Sequence, residues 1–279
     1  VPRLKFERGY IEAFAKYARR FLGTPILTYL FLQADVFVIG RILGEAELGS
    51  YALAASIARI PDLIMQKVAN PLMVPAFSII QNENAKIVAS LEKILSVVFF
   101  LGFPIGMLCI FHGPIIMEIV FTPQNRIAGK AFGFLALTSV IRNLGVPFVS
   151  ICYATNRAQI VRLVMGLRTI VFAALIIPAT QNWGISGTAG AMLITVFLMY
   201  FVQMLALRRM GFITLRKALS VTYRGVALST IPFAVWGISL LLPGMGELFK
   251  FGVSAVALLS GFLFLGIRGI KLRAAPNNT

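Results

Sequence analysis

The sequence predicts an all-α, polytopic transmembrane bundle of about eight spans. Three observations carry this. The 279 residues are 58% hydrophobic, where soluble domains run at about 45–50% apolar. The apolar residues gather into segments near the ~20 residues a helix needs to cross a bilayer. The formal charge is +16 although only 13% of residues are charged, and most of that charge flanks the apolar segments, as in loops facing anionic lipid.

The spans are read at Phe21–Arg41, Ser50–Phe77, Ile87–Ile110, Gly129–Tyr153, Ala158–Pro178, Gly187–Leu207, Gly225–Leu242 and Leu248–Ile267. The second is long and holds Pro61, Pro71 and Pro75, so it is expected to kink or break. Before the first span, Phe6, Tyr10, Phe14 and Tyr17 recur at helical spacing beside Lys16, Arg19 and Arg20, the pattern of a surface helix at the headgroups. Phe212, Leu215 and Leu219 with Arg216 and Lys217 suggest a second such segment. The expected organisation is a linker and surface helix over 1–20, a six-helix lobe over 21–210, a basic loop over 211–224, an extra helix pair over 225–267, and a tail over 268–279.

Counting Lys and Arg by side sets the orientation. With the N-terminus in the cytoplasm, the inside collects Arg3, Lys5, Arg8, Lys16, Arg19, Arg20, Lys86, Lys93, Arg157, Arg162, Arg208, Arg209, Arg216, Lys217, Arg224, Arg268, Lys271 and Arg273. The outside receives Arg41, Arg126, Lys130 and Lys250. Both termini are therefore expected inside. The longest outer loop, around Gly113–Ala128, carries an apolar piece, Ile115–Phe121, expected to lie in the interface. The chain opens on a basic segment and not on Met, and is expected to be the later portion of a longer polypeptide.

Cys109 and Cys152 sit in apolar runs and imply neither a disulfide framework nor a metal site. His112 is the single histidine, and a structural role is expected for it. No cofactor motif and no carboxylate pair suited to acid–base chemistry is present, so no enzyme activity is expected.

Four cations lie deep within the spans, away from their end turns, Arg59, Lys67, Arg142 and Arg168, accompanied by Asp35 and Asp62. A charge at mid-bilayer costs about 2.5–3.5 kcal/mol on insertion scales, so an excess of one sign calls for a use. Arg142 lies 11 residues before Tyr153 and Arg168 lies 11 residues after Arg157. At about 1.5 Å per residue, both sit about 16 Å from the inner edge, on neighbouring antiparallel helices. Asp62, three residues after Arg59, shares its helix face and can pair with it, and Gln66 continues that face. Asp35 can neutralise one further cation. The expected result is a positively charged cavity for an anion, phosphate being the natural guest of a guanidinium fork. Gly184, Gly187 and Gly190, and Gly40 with Gly44, are read as helix-packing positions.

The stretch Gln33–Ser78 resembles a known family. It reads Ala34-Asp35, Ile39-Gly40-Arg41-Ile42-Leu43-Gly44, Leu48-Gly49-Ser50-Tyr51-Ala52, Ile60-Pro61, Asn70-Pro71, Pro75 and Phe77-Ser78. This is similar to the polysaccharide transporter family of Wzx/WzxC-like flippases, within the multidrug/oligosaccharidyl-lipid/polysaccharide exporter superfamily. Ala154-Thr155-Asn156-Arg157-Ala158 resembles a later loop of the same family.

The resemblance implies two six-helix lobes plus an extra pair, of which this chain matches the second lobe and the pair. The first lobe would come from a missing part of the same protein or from a partner chain. It implies flipping of a lipid-linked oligosaccharide, undecaprenyl-pyrophosphate-linked, across the bacterial inner membrane by alternating access. Arg59, Lys67, Arg142 and Arg168 would hold the pyrophosphate, and Asp35, Asp62 and Gln66 would supply counter-charge or ion coupling. Two alternatives stay open: an ion-coupled exporter of another small molecule, and a non-transporting scaffold of a polysaccharide assembly complex.

Overall fold

The structure is a computed structural model that describes residues 29, 31–212, 237 and 246–274. Every regular element among them is helical. The expected surface helix over 1–20, the 211–224 loop beyond Phe212, the seventh span apart from Gly237, and the end of the tail lie outside the described residues.

Helix α1 covers 31–42. It ends at Gly44, whose φ of 92° lies in the left-handed region and whose N–H reaches back to the Ile39 carbonyl. Such a closure favours glycine, which has no Cβ to clash. Asn156 (φ 56°) and Gly211 (φ 81°) end their helices in the same way, the following N–H groups bonding to the Cys152 and Leu207 carbonyls.

The second span is broken as its prolines predict. It consists of α2 (Glu45–Ala58), a turn at Arg59, α3 (Ile60–Ile64), a π-helical turn (Met65–Ala69) and α4 (Asn70–Ile79). Pro61 and Pro71 each begin a new helical piece, where their missing N–H costs nothing. The π turn absorbs the backbone mismatch just before Pro71.

Helix α5 (Asn84–Val120) has 37 residues, far past Ile110. The expected interfacial piece, Ile115–Phe121, is instead the end of this helix, with Phe121 as its cap. Pro114 does not stop it because the next element packs against that point. A Cβ on Gly113 would lie 2.1 Å from the Gly129 carbonyl oxygen. Neighbouring segments of this kind let membrane helices tolerate proline.

A 3₁₀ turn (Pro123–Ala128) leads into α6 (Gly129–Leu144), and Gly145 separates α6 from α7 (Val146–Ala154), with Pro147 in the first turn of α7. Helix α6 is the central post, touching α2, α3, α5 and α8, and nearly all its residues are buried. Its seam with α5 is written in small residues: Gly113 on Gly129, Gly133 on the Cys109 carbonyl, Gly106 on Leu137 and Gly102 on Val140. This seam allows close backbone approach.

Helix α8 (Ala158–Arg209) holds the fifth and sixth spans, divided by a kink at Gly184 with φ 58° and ψ −145°. The Thr180 and Thr188 hydroxyls lie 2.7 Å apart, whereas a straight helix would separate residues eight apart by about 12 Å. The chain therefore turns back on itself, and a Cβ on Gly187 would meet the Ala179 carbonyl oxygen at 1.9 Å. Of the glycines read as packing positions, Gly187 fits that reading, Gly184 serves the turn, Gly40 approaches Leu48, and Gly44 and Gly190 face open space.

Helix α9 (Glu247–Ala274) matches the eighth span and packs on α5. His112 is the pin between them. Its Nε2 lies 3.1 Å from the Ser254 Oγ, and its ring meets Phe251 edge-on. At the end of this contact Arg126 bridges Glu118 and Glu247. Within the described residues, three helical stretches are long and apolar enough to cross a membrane: Asn84–Val120, Pro123–Ala154 and Ala158–Arg209.

Candidate anion-binding cavity

The broken second span, α6, α7 and both limbs of α8 enclose a cavity of about 770 Å³. Its wall includes Arg59, Asp62 and Gln66 from the broken span, Arg142 from α6 and Arg168 from α8. Arginines 142 and 168, placed at equal depth by residue counting, do face one space. Lys67 does not join them. It lies on the exposed side of the π turn, next to Gln66. Asp35 is fully buried in α1, behind Arg59 and outside the cavity wall.

The ion pairs are the reverse of the simplest expectation. Arg59 pairs with Asp35 at 3.7 Å, and Arg142 pairs with Asp62. The span bends at Arg59, between α2 and α3 and just ahead of Pro61. Arg59 turns toward α1, and Asp62 turns toward α6.

The two carboxylates differ in their surroundings. Asp35 takes the Tyr51 hydroxyl on Oδ2 and the Val36 N–H on Oδ1, each at 2.9 Å. Arg59 adds charge from the side. Asp62 faces only Arg142, which places Nη2 on Oδ2 and Nε 3.4 Å from Oδ1. This side-on arrangement is the one in which a guanidinium also takes phosphate oxygens.

Arg168 has no acid. Its guanidinium carbon lies 4.0 Å from the centre of the Phe31 ring, a cation–π contact. Phe31 in turn packs on Phe172, one helical turn from Arg168. The Arg168 Nε is buried and has no hydrogen-bond partner among the described residues. Three guanidinium groups thus meet two carboxylates, and the surplus positive charge sits at Arg168. The Tyr153 ring, the Gln66 and Gln203 amides and the Ser150 hydroxyl add polar groups to the same wall. Sequence reasoning missed Tyr51 and Phe31. Tyr51 carried a usable signal, a phenol within a span that also needs a partner for Asp35.

The family model described as "Polysaccharide biosynthesis protein" matches residues 1–126. The chain is 26% identical over 208 residues to the lipopolysaccharide biosynthesis protein WzxC of Escherichia coli (strain K12), covering 72% of this chain and 42% of that protein. It is 25% identical over 165 residues to the amylovoran biosynthesis protein AmsL of Erwinia amylovora, covering 57% and 41%. The chain therefore spans less than half the length of these curated relatives. The fold is shared with a solved structure of the lipid II flippase MurJ in an inward closed conformation, with a TM-score of 0.71 at 13% identity, over 95% of this chain and 56% of that one. With its long apolar helices, the chain is a multi-pass membrane protein similar in sequence to WzxC and AmsL over part of their length.

Proposed function

We propose that this chain is part of a flippase that carries a lipid-linked oligosaccharide across the bacterial inner membrane for polysaccharide assembly. The observation that carries the reading is the cavity in which Arg59, Arg142 and Arg168 converge with one positive charge left over. A cation held at membrane depth without an acid favours an anionic guest. A polyprenyl pyrophosphate suits it, because the headgroup can enter the cavity while the hydrocarbon tail stays in lipid. The undecaprenyl carrier of the family fits this description.

In this reading the chain supplies one lobe, residues 21–210, and an extra pair, residues 225–267. The facing lobe comes from the rest of the polypeptide or from a partner chain. Transport proceeds by alternating access, with both termini in the cytoplasm as the Lys and Arg distribution favours. Arg142 and Arg168 hold the headgroup, Arg59 contributes field from the side, and Asp35 and Asp62 supply counter-charge.

The test is leaflet transfer in vesicles that hold the full-length protein and a fluorescent polyprenyl-pyrophosphate oligosaccharide. Dithionite quenching reads the label that reaches the outer leaflet. The Arg142→Ala/Arg168→Ala double variant is expected to lose transfer while remaining monodisperse. An unchanged rate in that variant would sink the reading.

A further inference from the structure

Asp62 stands where a ligand's anion would stand. It lines the cavity, lies across the Arg142 fork with both oxygens toward guanidinium nitrogens, and has no other partner among the described residues. Its neighbour in the cavity, Arg168, has a buried Nε without a hydrogen-bond partner among the described residues. Asp35 is not in this position, since Tyr51 and the Val36 N–H hold it in place behind the wall.

The segment that carries Asp62 is also the least continuous of the cavity elements. Helix α3 has five residues, with the Arg59 turn and Pro61 on one side and the π turn on the other. Pro61 lacks the N–H for one helical bond in this piece, and prolines and π turns are where helices bend.

We propose that Asp62 is an intramolecular stand-in for the anionic headgroup. It occupies the Arg142 fork when the cavity is empty. A phosphate group that engages Arg142 together with Arg168 displaces it, and α3 is then free to move relative to α6. Asp62 thereby sets the affinity of the site, because every binding event must first break its pair with Arg142. A carboxylate that competes with the ligand lowers affinity, whereas one that merely orients Arg142 raises it. The sign of the effect separates the two roles. The inference rests on the reading of the cavity as a headgroup site.

The experiment measures equilibrium binding of farnesyl pyrophosphate to the full chain in nanodiscs of zwitterionic lipid, with inorganic pyrophosphate as a second probe. Asp62→Asn keeps the shape and an acceptor for Arg142 but removes the charge. It is expected to bind farnesyl pyrophosphate about tenfold more tightly than the unaltered chain. Asp62→Asn/Arg142→Gln should lose that gain, and Arg168→Ala should bind at least about tenfold more weakly. The same order with inorganic pyrophosphate assigns the effect to the headgroup; a gain confined to farnesyl pyrophosphate overturns the displacement. Should Asp62→Asn not be monodisperse, Asp62→Ser carries the same criterion. Binding lost in Arg168→Ala but not improved in Asp62→Asn overturns the role of Asp62 alone. No binding by either the unaltered chain or Asp62→Asn overturns the headgroup reading, and this inference with it.

Discussion

The α5–α6 hairpin and the broken second span solve opposite problems with the same kind of apolar sequence. Along the hairpin, backbones meet through Gly102, Gly106, Gly113, Gly129 and Gly133. Along the broken span, two prolines and a π turn interrupt the helix, and charged side chains fill the gaps. The first arrangement fixes a distance. The second gives up helical hydrogen bonds in order to aim Arg59 and Asp62 in different directions.

The largest expected effect tests the rigid side of this comparison. A Cβ on Gly113 would overlap the Gly129 carbonyl, and neither backbone can yield without opening the hairpin. Gly113→Ala should lower stability by more than about 3 kcal/mol, beyond the usual range for an overpacked core, seen as a lost monodisperse peak or a collapsed Tm. Gly190→Ala is the matched control, since open space surrounds that position. It should be neutral or stabilising by up to about 1 kcal/mol, from helix propensity. Equal losses at both glycines would break the distinction.

The next effect tests the working side. Arg142→Ala/Arg168→Ala should weaken polyprenyl-pyrophosphate binding about a hundredfold, or about 2.7 kcal/mol, with a much smaller change in Tm. A loss of stability that matched the loss of binding would make these arginines structural and dissolve the contrast between the two regions.

Much of this contrast can be read from the sequence, and the unread parts have a common cause. The prolines announced the break because proline acts locally, through its missing N–H. That Arg142 and Arg168 face one cavity could be read by counting along neighbouring antiparallel helices. The pairings did not follow, because i to i+3 spacing shows only what can pair within one helix, and Asp35 on α1 and Arg142 on α6 offer partners from other helices. Lys67 went to the exposed side because its angular position was counted through a π turn, which holds more residues per turn than the α-helix assumed. The length of α5 was hidden by Gly113-Pro114, a pair that reads as a helix end until Gly129 packs against it.

The third effect compares the two carboxylates directly. Asp35 is fully buried with three partners. Asp35→Ala leaves the Tyr51 hydroxyl and the Val36 N–H unsatisfied and should cost about 2–3 kcal/mol. Asp62 is buried as well, but it has one partner where Asp35 has three, and that partner, Arg142, faces the cavity, where water can replace the carboxylate, so Asp62→Ala should cost less than Asp35→Ala, about 1–2 kcal/mol. Thermal denaturation of the two variants in the same nanodiscs compares them, and equal shifts would refute the difference in role.

The smallest effect is the most specific. Tyr51→Phe keeps the buried ring and removes only the hydroxyl that donates to Asp35. A hydrogen bond to a charged group contributes about 1.5 kcal/mol at the low end of its range, so the variant should lose about that much. The loss should depend on Asp35. In a double-mutant cycle, Tyr51→Phe with Asp35→Asn should be non-additive by about 1 kcal/mol, whereas Tyr51→Phe with Asp62→Asn should add within about 0.5 kcal/mol. Coupling to Asp35 alone would mean that the locked pair and the cavity pair are energetically separate, so that displacing Asp62 leaves the Arg59 corner in place. Coupling of Tyr51 to both carboxylates would mean that Arg59 transmits between them, and the two ion pairs would then have to move as one unit when the cavity fills.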